Sequence, residues 1–79
     1  MYEILMPALG EDFEEGTISF WHVEAGEHID KGVDIVEVTT EKSTFNVQAP
    51  CTGVLTEIIA LEGEAVPVGE VLARMEEEN

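Results

Sequence analysis

Apart from its 18 acidic residues, the chain has few side chains that could act as a base, nucleophile or metal ligand, and their spacing fits no common enzyme site. His22 and His28 are the only histidines, a turn separates them, and the single cysteine, Cys51, has no histidine at a metal-ligand spacing. No base motif accompanies Cys51, so we predict a buried or turn thiol. Lys42 is the remaining candidate, in residues 38–45, where six of eight residues are polar. It is either a solvated turn residue or the functional group of the protein.

The composition favours a small binding, carrier or structural module over an enzyme. At 79 residues the chain is predicted to be one domain, 1–79, with little room for a substrate cavity of roughly 300–1,000 Å³. A net charge of -15 argues against nucleic-acid and membrane binding and biases encounters towards basic partner surfaces. One cysteine fits a reducing compartment. We therefore expect a monomer in the cytoplasm or, after removal of a leader, in an organelle matrix.

The chain reads as short strands separated by turns. No window of eleven residues sustains a helical period, and glycine or proline lies between most of the apolar runs. This pattern predicts an all-β fold. The predicted strands are residues 2–6, 17–23, 34–39, 44–48, 54–59 and 70–75. The predicted core residues are Ile18, Trp21, Ile35, Val36, Val38, Phe45, Val47, Leu55, Ile58, Val66 and Leu72.

The sequence also repeats itself at an offset of 37 residues. Gly16, Gly26 and Gly32 recur as Gly53, Gly63 and Gly69, within quasi-repeats of about 16–38 and 53–75. Two copies are too few for a solenoid. They predict two similar halves that face each other around a pseudo-two-fold axis, as a flattened sandwich or barrel.

The apolar residues around Lys42 predict a hairpin. Pairing Val38 with Phe45 and Val36 with Val47 places the turn between Glu41 and Lys42. Glu-Lys is a poor two-residue hairpin turn, so the tip is not selected for stability alone.

The offset also predicts where this tip lies in the molecule. At 37 residues, Lys42 is equivalent to Leu5 and to Asn79, near the two ends of the chain. The tip should therefore lie at one pole and both termini at the other.

The whole chain resembles the lipoyl domains of the acyltransferase components of 2-oxo-acid or acetoin dehydrogenase complexes. The resemblance is end to end, in order and at the spacing of that family. The segments Met-Pro-Ala-Leu-Gly at 6–10 and Glu-Gly-Thr-Ile at 15–18 resemble those of pyruvate, branched-chain or acetoin systems more than those of 2-oxoglutarate systems. The matching segments are Met6-Pro7-Ala8-Leu9-Gly10, Glu15-Gly16-Thr17-Ile18, Trp21, Gly26-Glu27, Lys31-Gly32, residues 36–44, residues 49–55 and residues 62–69.

The resemblance implies a barrel-sandwich hybrid: a flattened β-barrel of two four-stranded antiparallel sheets with quasi-two-fold symmetry. It also implies that Lys42 carries lipoic acid in amide linkage, with Glu41 and Ser43 as flanking recognition residues for a lipoyl ligase or transferase. The family usually reads Glu-Thr-Asp-Lys-Ala there. Thr39 and Ser43 depart from that pattern, which bears on recognition by a given ligase.

The implied function is that of a swinging-arm carrier without catalytic activity of its own. Its partners would be a thiamine-diphosphate-dependent decarboxylase, an acyltransferase core and dihydrolipoamide dehydrogenase. The family places the loop before the second strand near the hairpin, so we expect its residues Glu11, Asp12, Phe13, Glu14 and Glu15 to contribute to partner choice. The alternative for this loop is a solvated segment with Phe13 folded down.

Two other functions remain open from the sequence. Biotin-carrier domains share the fold and the hairpin lysine, but they typically flank it with methionines, where this chain has Glu41 and Ser43. The chain could also be an unmodified acidic β-sandwich interaction module.

Overall fold

The computed structural model describes residues 2–7 and 14–78, and all its regular structure is strand. Two four-stranded antiparallel sheets have the strand orders β1-β8-β6-β3 (sheet A) and β5-β4-β2-β7 (sheet B). Within those residues, no helix is long and apolar enough to cross a membrane. The predicted all-β sandwich is confirmed. The strands are β1 Tyr2–Leu5, β2 Glu15–Trp21, β3 His28–Ile29, β4 Asp34–Thr39, β5 Thr44–Gln48, β6 Gly53–Ile58, β7 Ala65–Pro67 and β8 Val71–Glu77.

Two strands, β3 and β7, are absent from the six predicted by periodicity. They contain two and three residues, too few for an alternating pattern to be visible. They lie at equivalent places in the two halves, since His28 and Ile29 correspond to Ala65 and Val66 at the 37-residue offset. Each adds a short edge strand, which completes the four-stranded sheets implied by the family resemblance.

The core fills the space between the sheets. Of the predicted core residues, Trp21, Phe45 and Ile58 are half-buried against the core and the others are buried. Met6 and Met75 are also fully buried, at 1% and 0% exposure, although the prediction omitted them. Cys51 is buried, as predicted.

The same hydrogen bonds recur in both halves. Ile18 N–H donates to the Glu64 carbonyl at 2.8 Å, and Leu55 N–H, 37 residues later, donates to the Glu27 carbonyl at 3.0 Å. Each bond joins one half to the other, so the halves are interlocked. The predicted internal symmetry is confirmed at this level.

The pairing of β1 with β8 is the counterpart of the pairing of β4 with β5. Tyr2 lies opposite Met75 as Phe45 lies opposite Val38. Met75 is 37 residues beyond Val38, but Phe45 is 43 residues beyond Tyr2. The stretch from Tyr2 to Gly16 is therefore six residues longer than the equivalent stretch from Phe45 to Gly53.

This longer connection corrects one predicted equivalence. Leu5 pairs with Val71 as Gln48 pairs with Asp34, so Leu5 is the counterpart of Gln48. The prediction that Lys42 is equivalent to Leu5 was wrong, because one offset does not hold across the β1–β2 connection.

The hairpin and the last described residues lie at opposite ends of β4. Thr52 accepts hydrogen bonds from Glu78 N–H with its carbonyl and from Lys31 N–H with its hydroxyl, both at 2.9 Å. Lys31 lies three residues before β4, which then runs away from this end to Thr39. Lys42, three residues beyond Thr39, therefore lies beyond the end of β4 that is away from Glu78.

Candidate functional site

The strands of the β4–β5 hairpin pair in the predicted register. Val36 lies opposite Val47, Val38 opposite Phe45, and β4 ends where Thr39 meets Thr44. Val36 and Val38 are completely buried. A slip by one residue would turn both of them to solvent, so the core fixes the register of the hairpin.

Glu41 and Lys42 are the two central residues of the turn, as predicted. Thr40 N–H donates to the Ser43 carbonyl at 2.7 Å and closes the turn. Neither central residue has a positive φ, because no described non-glycine residue does. The turn is therefore neither of the types, I′ and II′, that match the twist of a hairpin best.

The hydroxyl of Thr40 holds this turn together. It donates to the Ser43 carbonyl at 2.9 Å, and it accepts from Ser43 N–H at 3.1 Å and more weakly from Lys42 N–H at 3.4 Å. Sequence reasoning missed this role. The signal was a threonine at the first position of a turn, where a hydroxyl can bond to the backbone two or three residues on.

The Lys42 side chain is exposed at the tip of the hairpin, between exposed Glu41 and Ser43. In the described part of the chain, no carboxylate lies within ion-pair distance of its amine. A primary amine that is accessible and not held in an ion pair is suited to form an amide with a carboxylic acid. The site therefore fits a covalently attached acid such as lipoic acid.

Three hydroxyl groups line the base of the hairpin on the outer face of sheet B. Ser19 Oγ lies 2.5 Å from Thr39 Oγ1, which lies 3.4 Å from Thr44 Oγ1. Thr39, where the family pattern has a glutamate, thus contributes a hydrogen-bonding hydroxyl and no charge. We call Ser19, Thr39 and Thr44 the hydroxyl ladder.

The structure places only the last part of the predicted recognition loop. Glu11, Asp12 and Phe13 lie outside the described residues. Glu14 and Glu15 are exposed, and both are tied to the start of sheet B: the Glu14 carbonyl accepts from Val68 N–H at 3.0 Å, and Glu15 pairs with Pro67. A role of this loop in partner choice stays a prediction.

The two histidines bond to different partners. His22 Nε2 lies 2.8 Å from the Asn46 side-chain oxygen, and His28 Nε2 lies 2.5 Å from a Glu78 carboxylate oxygen. Within residues 2–7 and 14–78, no group of three or more His, Cys, Asp or Glu side chains could hold a metal ion.

Cys51 and a cleft beside β1 both lie away from the hairpin tip. Burial raises the pKa of the Cys51 thiol, nearby Glu77 raises it further, and Lys31 lowers it. A cleft of about 550 Å³ opens between the edge strands β1 and β5, but none of residues 40–43 lines it.

Comparison with known proteins identifies the family. The biotin/lipoyl attachment family, described as "Biotin-requiring enzyme", matches residues 2–75. The solution structure of the lipoyl domain of the 2-oxoglutarate dehydrogenase complex from Azotobacter vinelandii is 34% identical, with a TM-score of 0.79 and 98% of each chain covered. This chain belongs to the lipoyl-domain family. The predicted resemblance and the carrier class that goes with it are confirmed.

The lipoyl domain is also similar to segments of much longer acyltransferases. It is 41% identical over 76 residues to the lipoamide acyltransferase component of the branched-chain alpha-keto acid dehydrogenase complex of Bacillus subtilis. It is 42% identical over 73 residues to the succinyltransferase component of the 2-oxoglutarate dehydrogenase complex of Staphylococcus saprophyticus. These alignments cover 96% and 92% of this chain but only 18% and 17% of the relatives.

These relatives do not single out one complex for this lipoyl domain. A third, the acetyltransferase component of the pyruvate dehydrogenase complex of Mycobacterium bovis, is 42% identical over 72 residues, which are 91% of this chain and 13% of the relative. A single-chain, multi-domain long-chain acyl-CoA carboxylase has a TM-score of 0.78, with 100% of this chain and 8% of that chain covered. At 18% identity, that likeness shows the fold alone.

Proposed function

We propose that Lys42 carries lipoic acid in amide linkage and serves as the swinging arm of a 2-oxo-acid or acetoin dehydrogenase complex. The observation that carries this proposal is the position of its amine. It is exposed in the centre of a two-residue turn whose strands the core locks in register. The names of the relatives, which are acyltransferase components of such complexes, support it.

The arm passes acyl groups and reducing equivalents between three enzymes. These are a thiamine-diphosphate-dependent 2-oxo-acid or acetoin decarboxylase, the acyltransferase core and dihydrolipoamide dehydrogenase. Lipoic acid supplies the disulfide and dithiol chemistry, so the protein has to supply only attachment and orientation. The sandwich holds the hairpin away from the pole where the described chain ends, and a tether at that pole would raise the effective concentration of the arm at the acyltransferase core to which it is joined.

The chain's own contribution at Lys42 is geometric and electrostatic. The clamped turn presents the amine to a lipoyl ligase or transferase, and Glu41 and Ser43 are the flanking side chains that such an enzyme meets first. Amide formation removes the positive charge of Lys42, which favours entry of the arm into apolar channels of partner enzymes. Residues 11–15 contribute to the choice of partner.

We place the protein in the cytoplasm or an organelle matrix and expect the isolated domain to be a monomer. A single, buried and unpaired thiol at Cys51 supports a reducing compartment. The net charge of -15 supports a domain that repels its own copies.

Intact-mass analysis of protein from a lipoate-competent host tests the attachment site. The chain offers a matched control, since Lys31 is the only other lysine. We expect wild type and Lys31→Arg to gain the mass of one lipoyl group. Lys42→Arg should gain none and keep its thermal stability, because its side chain is exposed and has no ion-pair partner in the described structure.

Other outcomes of the same experiment would replace the proposal. The mass of a biotinyl group on Lys42 would make the chain a biotin carrier. Wild type that stays unmodified beside a competent ligase would favour the acidic interaction module. Unfolding of Lys42→Arg would make Lys42 a structural residue.

A further inference from the structure

The outer face of each sheet carries a cluster across three strands, and the two clusters occupy equivalent positions. In sheet A, Arg74 on β8 lies between Glu3 on β1 and Glu57 on β6. Its Nε lies 3.4 Å from a Glu3 carboxylate oxygen, and its Nη1 lies 3.3 Å from one of Glu57. The two acids in this cluster thus share one cation.

The equivalent cluster in sheet B has different chemistry. Glu37 on β4 corresponds to Arg74, and it lies between Phe20 on β2 and Asn46 on β5. No cation in the described structure lies within ion-pair distance of Glu37. Phe20 is 52% exposed where the other sheet has a paired acid. The centre of this face is therefore an unneutralised carboxylate beside an exposed aromatic ring.

A β-bulge turns Phe20 outwards. The register of β2 against β4 shifts between Ile18 and Phe20, so Ser19 and Phe20 both face solvent while Ile18 is buried. The same shift occurs in β6 between Leu55 and Glu57. The bulge thus occurs in both sheets, but only in sheet B does it carry a phenylalanine.

The ring of Phe20 is held in place by its neighbour. Phe20 and His22 make an edge-to-face contact with ring centroids 5.2 Å apart and planes at 74°. His22 is fixed in turn by its 2.8 Å hydrogen bond to Asn46. An ordered, exposed aromatic side chain loses little conformational entropy when a partner covers it. We call Phe20, His22, Glu37 and Asn46 the sheet B face.

The sheet B face is continuous with the lysine hairpin. The hydroxyl ladder lies between them: Ser19 is adjacent to Phe20 on β2, and Thr39 precedes the turn that bears Lys42. The equivalent end of sheet A carries the terminal residues of β8 and β1. An enzyme that receives Lys42 thus approaches the face with the free carboxylate and exposed ring.

We propose that the sheet B face is the docking surface for the decarboxylase that acylates the group on Lys42. The decarboxylase would offer a lysine or arginine opposite Glu37 and an apolar recess for Phe20. This inference rests on the proposed function. It favours the decarboxylase over the acyltransferase core because the relatives are acyltransferase components more than five times as long as this chain, so a tether can supply that encounter without a docking surface.

Reductive acylation of the lipoylated domain by the decarboxylase tests the proposal. Aromatic anchors dominate interface energies, so Phe20→Thr should raise the KM for the domain about tenfold with kcat unchanged. Glu37→Gln should raise KM about threefold at low salt and make it less sensitive to ionic strength. Leu61→Thr and Glu76→Gln are matched controls on exposed residues outside this face, and their KM values should stay within about twofold of wild type.

A second measurement does not depend on substitutions. Amide chemical shifts of the lipoylated wild type, titrated with the decarboxylase, should change along β2 and β4 around Phe20 and Glu37. Unchanged KM values in both variants, or shift changes confined to the hairpin tip or to sheet A, would overturn the docking surface while leaving Lys42 as the carrier. A KM effect seen only with dihydrolipoamide dehydrogenase or the acyltransferase core would reassign the face. Wild type that is never lipoylated would overturn both proposals.

Discussion

The turns at Gly26 and Gly63, which are equivalent in the two halves, differ in construction from the hairpin turn that bears Lys42. Gly26 and Gly63 have φ values of 94° and 91°, and their N–H groups donate to the carbonyls of Leu55 and Ile18 at 2.6 and 2.7 Å. The hairpin turn at 40–43 contains no glycine and is held by the hydroxyl of Thr40. The glycine turns combine a left-handed backbone with a side-chain contact, since the Glu27 and Glu64 carboxylates accept from Glu24 and Leu61 N–H. The hairpin turn has a side-chain contact without a glycine.

This difference shows how a turn can be stable and still offer a chosen residue at its tip. A glycine-dependent turn dictates the residue at its critical position. In the hairpin turn, the Thr40 hydroxyl bonds to the Ser43 backbone, so the stability of the turn does not depend on the residue types at positions 41 and 42. These two positions can therefore hold the residues that the chemistry requires. Asn-Gly at those positions would favour the hairpin more and would remove the lysine.

The largest loss of stability that would test this comparison is expected at the repeated glycine turns. Gly26→Ala and Gly63→Ala should each lower the free energy of unfolding by about 1–2 kcal/mol, because an alanine strains a left-handed backbone. A Cβ at either position would have open space around it, so no clash adds to this loss.

Thermal and urea unfolding measure these losses, at about 4–8 °C in Tm for each kcal/mol. The folded variants should be lipoylated at the wild-type rate. Clearly unequal losses would show that the two turns are not energetically equivalent.

A smaller effect, on rate more than on stability, is expected at Thr40. Thr40→Val keeps the β-branched shape and deletes the hydroxyl that binds both Ser43 backbone groups. Loss of a net hydrogen-bond contribution of about 1 kcal/mol should lower kcat/KM for lipoylation about fivefold, because the presented turn is less populated.

Thr40→Ser and Thr44→Val are the controls for Thr40→Val. Thr40→Ser keeps the hydroxyl and should restore the rate. Thr44→Val changes a neighbouring threonine whose hydroxyl lies 3.4 Å from that of Thr39 and should have little effect. An equal rate for Thr40→Val and wild type would mean that the core alone orders the tip.

The smallest effect, on the pH dependence of stability, is expected at Cys51. It sharpens the contrast between Lys42, which is exposed for chemistry, and Cys51, which is buried in the core. Burial raises the pKa of its thiol, so the unfolded chain releases the proton at a lower pH than the folded chain. Stability should therefore fall as pH rises above the ordinary thiol pKa. Urea unfolding at pH 8 and pH 10 measures this effect: the free energy of unfolding should fall more between the two pH values in wild type than in Cys51→Ala. A thiol that reacts rapidly with iodoacetamide in the folded protein would contradict its packing role.

The sequence predicted the parts of the molecule that a single physical constraint decides. Val36 and Val38 must face the core with Phe45 and Val47, which a one-residue slip would prevent, so the hairpin register followed from alternation together with a two-residue turn. The repeated glycines predicted the symmetry because a left-handed turn tolerates few other residues.

The parts that the sequence did not predict depend on strand length, turn type or strand pairing. The two- and three-residue strands β3 and β7 are too short to carry a period. The role of Thr40 depends on the turn type, and the contrast between Glu37 and Arg74 depends on which strands lie beside them. The bulge that exposes Phe20 is invisible in β2 alone, because it is defined by the pairing with β4.

The matching of the β8–β1 pair to the β4–β5 pair has a consequence for the order of the chain. Tyr2 faces Met75 across two adjacent antiparallel strands, the same arrangement that a two-residue turn closes between Val38 and Phe45. A short turn from β8 back to β1 would therefore make the backbone circular without moving a strand. The fold thus offers two equivalent hairpin positions, and this chain has its lysine in the one between β4 and β5.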